Sequence, residues 1–106
     1  MQLLGEKPMD NEDATYVGPI ITRGEISDAA IEAAGYDNPG REVRVQSGPS
    51  YIRLEARGEI LLTAANMSEV LGRPFTMGEL ERNMPGFSGF IRMAHDHVRF
   101  VASKSR

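Results

Sequence analysis

The sequence contains one cluster of side chains that commonly bind metal ions, His95-Asp96-His97. On a strand, alternate positions would place both imidazoles on one face, where they could bind zinc or copper weakly. A competent site usually needs a third or fourth ligand and groups that orient the ligands, and none is evident nearby. His95-Asp96-His97 also lies between two segments with strand-like patterns, where polar residues of this kind are typical of a hairpin turn. We therefore predict a turn and no metal site.

No other motif in the sequence predicts catalysis. The serine of Phe87-Ser88-Gly89 lacks the first glycine of a nucleophile elbow, and the glycines form no phosphate-binding loop. The glutamates are dispersed mostly over polar faces, so spacing nominates no pair of general acid and base. We therefore predict that the chain has no catalytic residues, binds no cofactor and is not an enzyme.

Composition narrows the classes of partner. The 106 residues include 41% hydrophobic and 25% charged residues, carry a formal net charge of −3 and contain no cysteine. The acidic balance disfavours nucleic acid, and no apolar run approaches the ~20 residues that span a bilayer. The lack of cysteine excludes disulfides and thiolate metal sites and is compatible with a reducing cytosol. We predict a cytoplasmic protein that binds neither nucleic acid nor membrane.

The candidate residues would be positioned by an α+β fold. The apolar pattern gives the order strand, helix, two strands, two short helices, two strands, with one longer and two short helices on a mixed, largely antiparallel sheet. We expect a flexible tail over residues 1–14, a single domain over residues 15–103 and a frayed C-terminus over residues 104–106.

Capping signals set the expected helix boundaries. Thr22 and Glu25 form a capping box that would begin the longer helix, and Gly35 is well placed to end it. Thr76 and Glu79 form a second capping box at the start of the last short helix.

Proline and glycine set the expected limits of the strands. Pro19 cannot donate to a strand ladder, which places the first strand on an edge or makes it short. Residues 52–62 keep one parity of apolar side chains through Gly58, which indicates a long strand that can bend there. A structural turn follows the longer helix and comprises Asn38, Pro39 and Gly40.

The segment between the last short helix and the final hairpin combines flexible glycines with large apolar side chains. It comprises Asn83, Met84, Pro85, Gly86, Phe87, Ser88 and Gly89. Met and Phe on an adaptable loop would make a docking site, since such side chains are favoured at interface centres. The alternative is that Phe87 and Phe90 fill the core beneath the loop, and the sequence leaves both open.

Three arginines, Arg44, Arg53 and Arg57, would share the solvent face of the central hairpin, where they could form a basic stripe. Glutamates interleave with them and dilute the positive charge. We therefore expect a solvated face of mixed charge, which suits a protein partner better than nucleic acid.

Several motifs, in order, resemble a known family. They are Val17-Gly18-Pro19-Ile20-Ile21, Asp37-Asn38-Pro39-Gly40, Tyr51-Ile52-Arg53-Leu54, Gly58-Glu59-Ile60-Leu61-Leu62-Thr63, Leu71-Gly72-Arg73-Pro74-Phe75 with Met77, Leu80 and Glu81, and Phe87-Ser88-Gly89. Together they resemble the effector, or coupling, proteins of soluble diiron multicomponent monooxygenases. This family includes the regulatory components of methane monooxygenase and phenol hydroxylase, and the chain looks most similar to the toluene and alkene monooxygenase branch.

The resemblance implies a regulatory subunit without catalytic activity or cofactor. It would bind the diiron hydroxylase, act with a reductase and a ferredoxin, and couple O2 activation and electron delivery to hydroxylation of an aromatic hydrocarbon or an alkene. In the methane monooxygenase relative the loop entering the last hairpin contacts the hydroxylase, and its matching positions here are residues 83–89. Pro85-Gly86-Phe87 replaces the small polar residues of that relative.

Two further expectations concern partners. When free, the chain is expected to be a monomer. The alternative to the regulatory role is a generic protein- or peptide-binding module with no link to an oxygenase, for which exposed strand edges and an apolar loop would suffice.

Overall fold

The computed structural model describes residues 15–103, so the predicted tail and frayed C-terminus lie outside the described residues. In chain order the elements are β1 (Tyr16–Thr22), α1 (Glu25–Asp37), β2 (Val43–Ser47), β3 (Tyr51–Arg57), β4 (Glu59–Thr63), α2 (Ala64–Leu71), α3 (Met77–Arg82), β5 (Gly86–Ser88), β6 (Phe90–Met93) and β7 (His97–Val101). The predicted α+β class, with one longer and two short helices, is confirmed.

The strands form two antiparallel sheets. The first sheet has the order β2-β3-β1-β5, and the second has the order β4-β7-β6. The predicted long strand bends at Gly58, whose φ is 85°, so that β3 lies in the first sheet and β4 in the second. The N–H of Gly58 donates to the carbonyl of Thr15 at 2.7 Å, and its carbonyl accepts from the N–H of Ala102 at 2.9 Å. A glycine is suited to this position because a side chain would strain the left-handed backbone.

The core lies between α1 and the inner faces of both sheets. Alternate residues of β3 and β4 point inward, and Leu54, Ile60 and Leu62 are fully buried, as is Phe100 of β7. The side of α1 that faces the sheets carries alanines, which allow the helix to approach closely. Burial of each large side chain stabilises the fold by about 1.5–3 kcal/mol.

α1 begins later than its predicted capping box. The N-cap is Gly24, and the hydroxyl of Ser27 accepts from the N–H of Gly24 and donates to its carbonyl, both at 3.0 Å. Thr22 stays in β1, where its N–H donates to the carbonyl of Asn83 at 2.9 Å. The predicted cap at Thr22 with Glu25 is therefore wrong, because strand pairing and this long-range bond hold Thr22.

α1 also ends later than predicted, since it continues through Gly35 to Asp37. The N–H and the side-chain Nδ2 of Asn38 donate to the carbonyl of Ala34 at 3.0 and 2.8 Å. The same Nδ2 donates to the carbonyl of Leu61 at 2.9 Å, and Oδ1 accepts from the N–H of Leu61 at 2.9 Å. These contacts with β4 stabilise the last helical turn beyond the glycine.

β1 is an interior strand of seven residues, so the prediction from Pro19 of an edge strand or a short strand is wrong. β3 flanks β1 on one side and β5 on the other. The pairing with β3 is interrupted at Gly18 and Pro19, and Pro19 lies opposite Phe87 of β5. The strand tolerates proline because the missing N–H falls within the interruption.

Candidate functional site

The hairpin turn predicted at residues 95–97 joins β6 to β7. The N–H of Ala94 donates to the carbonyl of His97 at 2.8 Å, and the carbonyl of Asp96 accepts from the N–H of Ala64 at 2.9 Å. His97 Nδ1 lies 2.9 Å from Asp96 Oδ1, and this hydrogen bond holds the pKa of the Asp96 carboxyl below its usual range. Within residues 15–103, no three His, Cys, Asp or Glu side chains are grouped to bind a metal ion.

A cleft of about 390 Å³ lies beside this turn, and Asp37 contributes to its wall. The Asp37 carboxylate accepts from the N–H and hydroxyl of Thr63, at 2.8 and 2.9 Å, and from the Asn66 amide at 2.7 Å. Both carboxylate oxygens are thus hydrogen-bonded within the chain. The carboxylate links α1, β4 and α2, and this arrangement gives it a structural role.

The segment of residues 83–89 is held to the rest of the fold at both ends. Asn83 is the C-cap of α3, and its carbonyl accepts from the N–H of Thr22 at 2.9 Å. Residues 86–88 form β5, which pairs with β1. Met84 is half-buried against the core and Pro85 is exposed. The predicted loop is therefore in part a short strand, which the sequence did not indicate because its pairing with β1 is non-local.

Two aromatic side chains are half-exposed on either side of Gly89. Phe87 is 42% exposed and Phe90 is 46% exposed. The Phe87 ring also contacts the buried Phe100, with ring centres 5.6 Å apart and planes at 47°. Phe87 thus both covers the core and presents apolar surface to solvent, and the docking site stays a prediction.

Gly89 joins β5 of the first sheet to β6 of the second. Its φ is 93°, and a Cβ at this position would lie 2.6 Å from Val17 Cγ1 and 2.8 Å from the carbonyl oxygen of Val101. The backbone at this crossing is consequently packed too closely for any side chain. β5 is an edge of the first sheet and β6 is an edge of the second. The crossing brings both edges together with the two aromatic rings. We call residues 83–90, which include the predicted docking segment, the docking edge.

The chain is therefore a small α+β domain that carries two half-exposed aromatic rings where two sheet edges adjoin. Its fold and sequence identify its class as the regulatory components of multicomponent monooxygenases, which are not themselves enzymes. The chain belongs to the MmoB/DmpM family, which matches residues 15–101. The resemblance predicted from the sequence motifs is confirmed.

Individual relatives support the assignment. The chain is 35% identical, over 92 residues, to the effector subunit of the alkene monooxygenase system of Xanthobacter autotrophicus, and the match covers 87% of this chain and 91% of that protein. It is similar to a chain in a structure of the phenol hydroxylase–regulatory protein complex, with a TM-score of 0.71, 26% identity, and coverage of 81% of this chain and 97% of that chain.

The structure of the soluble methane monooxygenase regulatory protein B shares the fold. Its TM-score is 0.63 at 18% identity, with coverage of 86% of this chain and 67% of that chain. Among the described residues, no helix has the length and apolar character needed to cross a membrane.

Proposed function

We propose that this chain binds the diiron hydroxylase of a bacterial alkene or aromatic monooxygenase through the docking edge. There it couples O2 activation and electron delivery to substrate hydroxylation, together with a reductase and a ferredoxin. The observation that carries the proposal is the pair of half-exposed rings, Phe87 and Phe90, on two adjoining strand edges. Support for the partner comes from the relative found in the phenol hydroxylase–regulatory protein complex.

The docking edge suits recognition of a large protein surface. Half-exposed aromatic rings bury much apolar area at little cost in side-chain entropy. The unpaired outer sides of β5 and β6 offer backbone groups to a partner. The pairing of β5 with β1 fixes the backbone of residues 86–88 before binding, and a segment that is already ordered loses less entropy when it binds.

The effect on turnover follows from differential affinity. A protein without catalytic side chains changes the activity of a partner by binding one of its conformations more tightly than another. Coupling of this kind is typically about 1–3 kcal/mol, or about 5–150-fold in an equilibrium constant. We propose further that residues 15–103 form a single domain and that the chain is cytoplasmic and monomeric when it is free. The turn at Asn38, Pro39 and Gly40 would have a structural role.

The test uses the reconstituted hydroxylase, reductase and ferredoxin. Adding the chain should raise the product formed per NADH consumed, and Phe87→Ala should weaken the affinity for the hydroxylase by about 5–30-fold. Tyr36→Ala is the matched control, since Tyr36 is also an exposed aromatic side chain, 62% exposed, but lies on α1 and not on the docking edge. Its affinity should equal that of the unchanged chain.

Two results would overturn the proposal. One is a reconstituted system that couples equally well without the chain, which would favour the generic binding module. The other is a Phe87→Ala variant that keeps its affinity while its melting temperature falls steeply, which would assign Phe87 to the core alone.

A further inference from the structure

The helix α3, which leads into the docking edge, is too short to hold its own position. It has six residues, and one of them, Gly78, is a poor helix former. A helix of this length is unstable by itself in water, so contacts with the rest of the fold must fix where it lies. Its C-cap, Asn83, is the first residue of the docking edge. The position of α3 therefore sets where the docking edge begins.

Arg73 ties the start of α3 to the start of α1. Its Nη1 and Nη2 donate to the two carboxylate oxygens of Glu79, in the first turn of α3, at 3.1 and 2.8 Å. Nη2 also donates to the carboxylate of Glu25, the first residue of α1, at 3.1 Å. Because a guanidinium is a planar fork, paired bonds of this kind fix direction as well as distance.

The end of α3 is tied to the end of β1. The carbonyl of Asn83 accepts from the N–H of Thr22, the last residue of β1, at 2.9 Å. The side-chain Nδ2 of Asn83 donates to the carbonyl of Glu79 at 2.9 Å. Both ends of α3 are thus attached to the short connection between β1 and α1, and the ring of contacts closes through Arg73.

We propose that Arg73 is a positioning residue for the docking edge, although it lies outside that edge, between α2 and α3. By holding Glu79 against Glu25 it fixes the direction of α3, and α3 fixes where Asn83 and the residues after it lie. Without the guanidinium, the backbone bond at Thr22 and the buried side chains of α3 remain, and the docking edge is displaced part of the time. The inference rests on the proposed function, because only a surface that binds a partner gains affinity from being held in place.

Loss of Arg73 should lower the affinity for the hydroxylase without lowering the maximal effect. When only a fraction of the molecules presents the docking edge correctly, the dissociation constant rises by the reciprocal of that fraction. For Arg73→Gln we expect a rise of about 3–10-fold. At saturating concentrations of the variant, the product formed per NADH consumed should equal that with the unchanged chain, because every bound molecule is then in the docking conformation.

Two controls separate positioning from a general loss of stability. Gly40→Ala strains a turn outside α3 and the docking edge, and it should leave the affinity unchanged. Gly78→Ala, added to Arg73→Gln, raises the helix propensity of α3, and its Cβ would meet only ordinary contacts at 3.7 Å. The double variant should regain melting temperature while its affinity stays low. Recovery of the affinity as well would assign the effect to the stability of the helix and overturn the proposal.

A milder variant leaves the pair of Arg73 and Glu79 in place. Glu25→Gln replaces the charged acceptor on α1 by a neutral amide, and the fold should survive because the Glu25 side chain is 64% exposed. Asp28→Asn removes the same charge from the same turn of α1, but Asp28 is not among the carboxylates that Arg73 binds. Glu25→Gln should weaken binding and Asp28→Asn should not. Equal affinities for the two variants would count against the tie to α1.

Hydrogen exchange reports the position of α3 without any partner. The N–H of Thr22 is protected by the carbonyl of Asn83, so displacement of α3 exposes it. Arg73→Gln should speed exchange at Thr22 by about tenfold or more relative to the N–H of Ala102, which donates to the carbonyl of Gly58.

Two results would overturn the role of Arg73 and leave the proposed function standing. One is an unchanged exchange rate at Thr22, and the other is a faster rate with an unchanged affinity for the hydroxylase. Failure of the proposed function is recognised separately, because Phe87→Ala changes the docking edge itself and would then leave the affinity unaltered.

Discussion

Asn38 makes more hydrogen bonds than a residue of a simple turn would need. Its side chain bonds to the backbone of Ala34 in α1 and to both backbone groups of Leu61 in β4. It is also buried, so loss of the amide would leave polar backbone groups without partners. At the next position but one, Gly40 has a φ of 78° and open space around it.

We therefore expect Asn38→Ala and Gly40→Ala to differ in their cost to stability. Asn38→Ala should lower the free energy of unfolding by about 2–4 kcal/mol, because buried donors and acceptors lose their partners. Gly40→Ala should cost only about 1 kcal/mol, the strain of a left-handed backbone. Urea unfolding of both variants measures the difference. Equal losses would mean that the side-chain bonds of Asn38 contribute nothing beyond the turn.

At the scale of elements, a single arginine links the starts of α1 and α3. Arg73 Nη1 and Nη2 donate to the two carboxylate oxygens of Glu79 at 3.1 and 2.8 Å, and Nη2 donates to Glu25 at 3.1 Å. The backbone N–H of Glu79 donates to the hydroxyl of Thr76, as the second predicted capping box requires. The side chain of Glu79 binds Arg73, so only half of that capping box forms.

The hydrogen bond from Arg73 holds the pKa of the Glu79 carboxyl below its ordinary value. A carboxyl whose pKa is lower in the folded state stabilises the fold when ionised, and this contribution is lost as the pH falls through that pKa. Arg73→Gln should therefore lower the melting temperature at pH 7 and lower it less near pH 3. Thermal unfolding across this range is the measurement, with Arg41→Gln, whose guanidinium donates to the backbone carbonyl of Arg57, as the control of equal charge. A pH-independent difference would contradict the role of this pair.

The elements that the sequence predicted well are those whose signals are local. The two-residue periodicity of β3 and β4, the bend at Gly58 and the cap at Thr76 all depend on neighbours in the chain. The end of α1 at Asp37 and the strand β5 depend on partners far along the chain. The composition of residues 83–89 indicated a docking segment. That residues 86–90 lie where two sheet edges adjoin could not be predicted, because strand order is a tertiary property.

At the scale of the whole molecule, the two sheets are joined at Gly58, where β3 of the first sheet continues into β4 of the second. Both sheets also pack against the same hydrophobic core. We expect them to unfold as a single cooperative unit, as small domains usually do. Native-state hydrogen exchange should give the slowest amides of β3 and of β7 the same free energy of opening, within about 0.5 kcal/mol. A gap of more than about 2 kcal/mol would show that each sheet opens separately.

The two bonds of Gly58 have a topological consequence. Thr15 accepts from the N–H of Gly58, and Ala102 donates to the carbonyl of Gly58. Because both residues bind the backbone of one glycine, the first and last parts of the described fold are neighbours. A circularly permuted chain could therefore join these two parts through a short linker and begin instead between β2 and β3. Such a chain would keep every strand pairing. The linear order of the elements is one of several that this architecture permits.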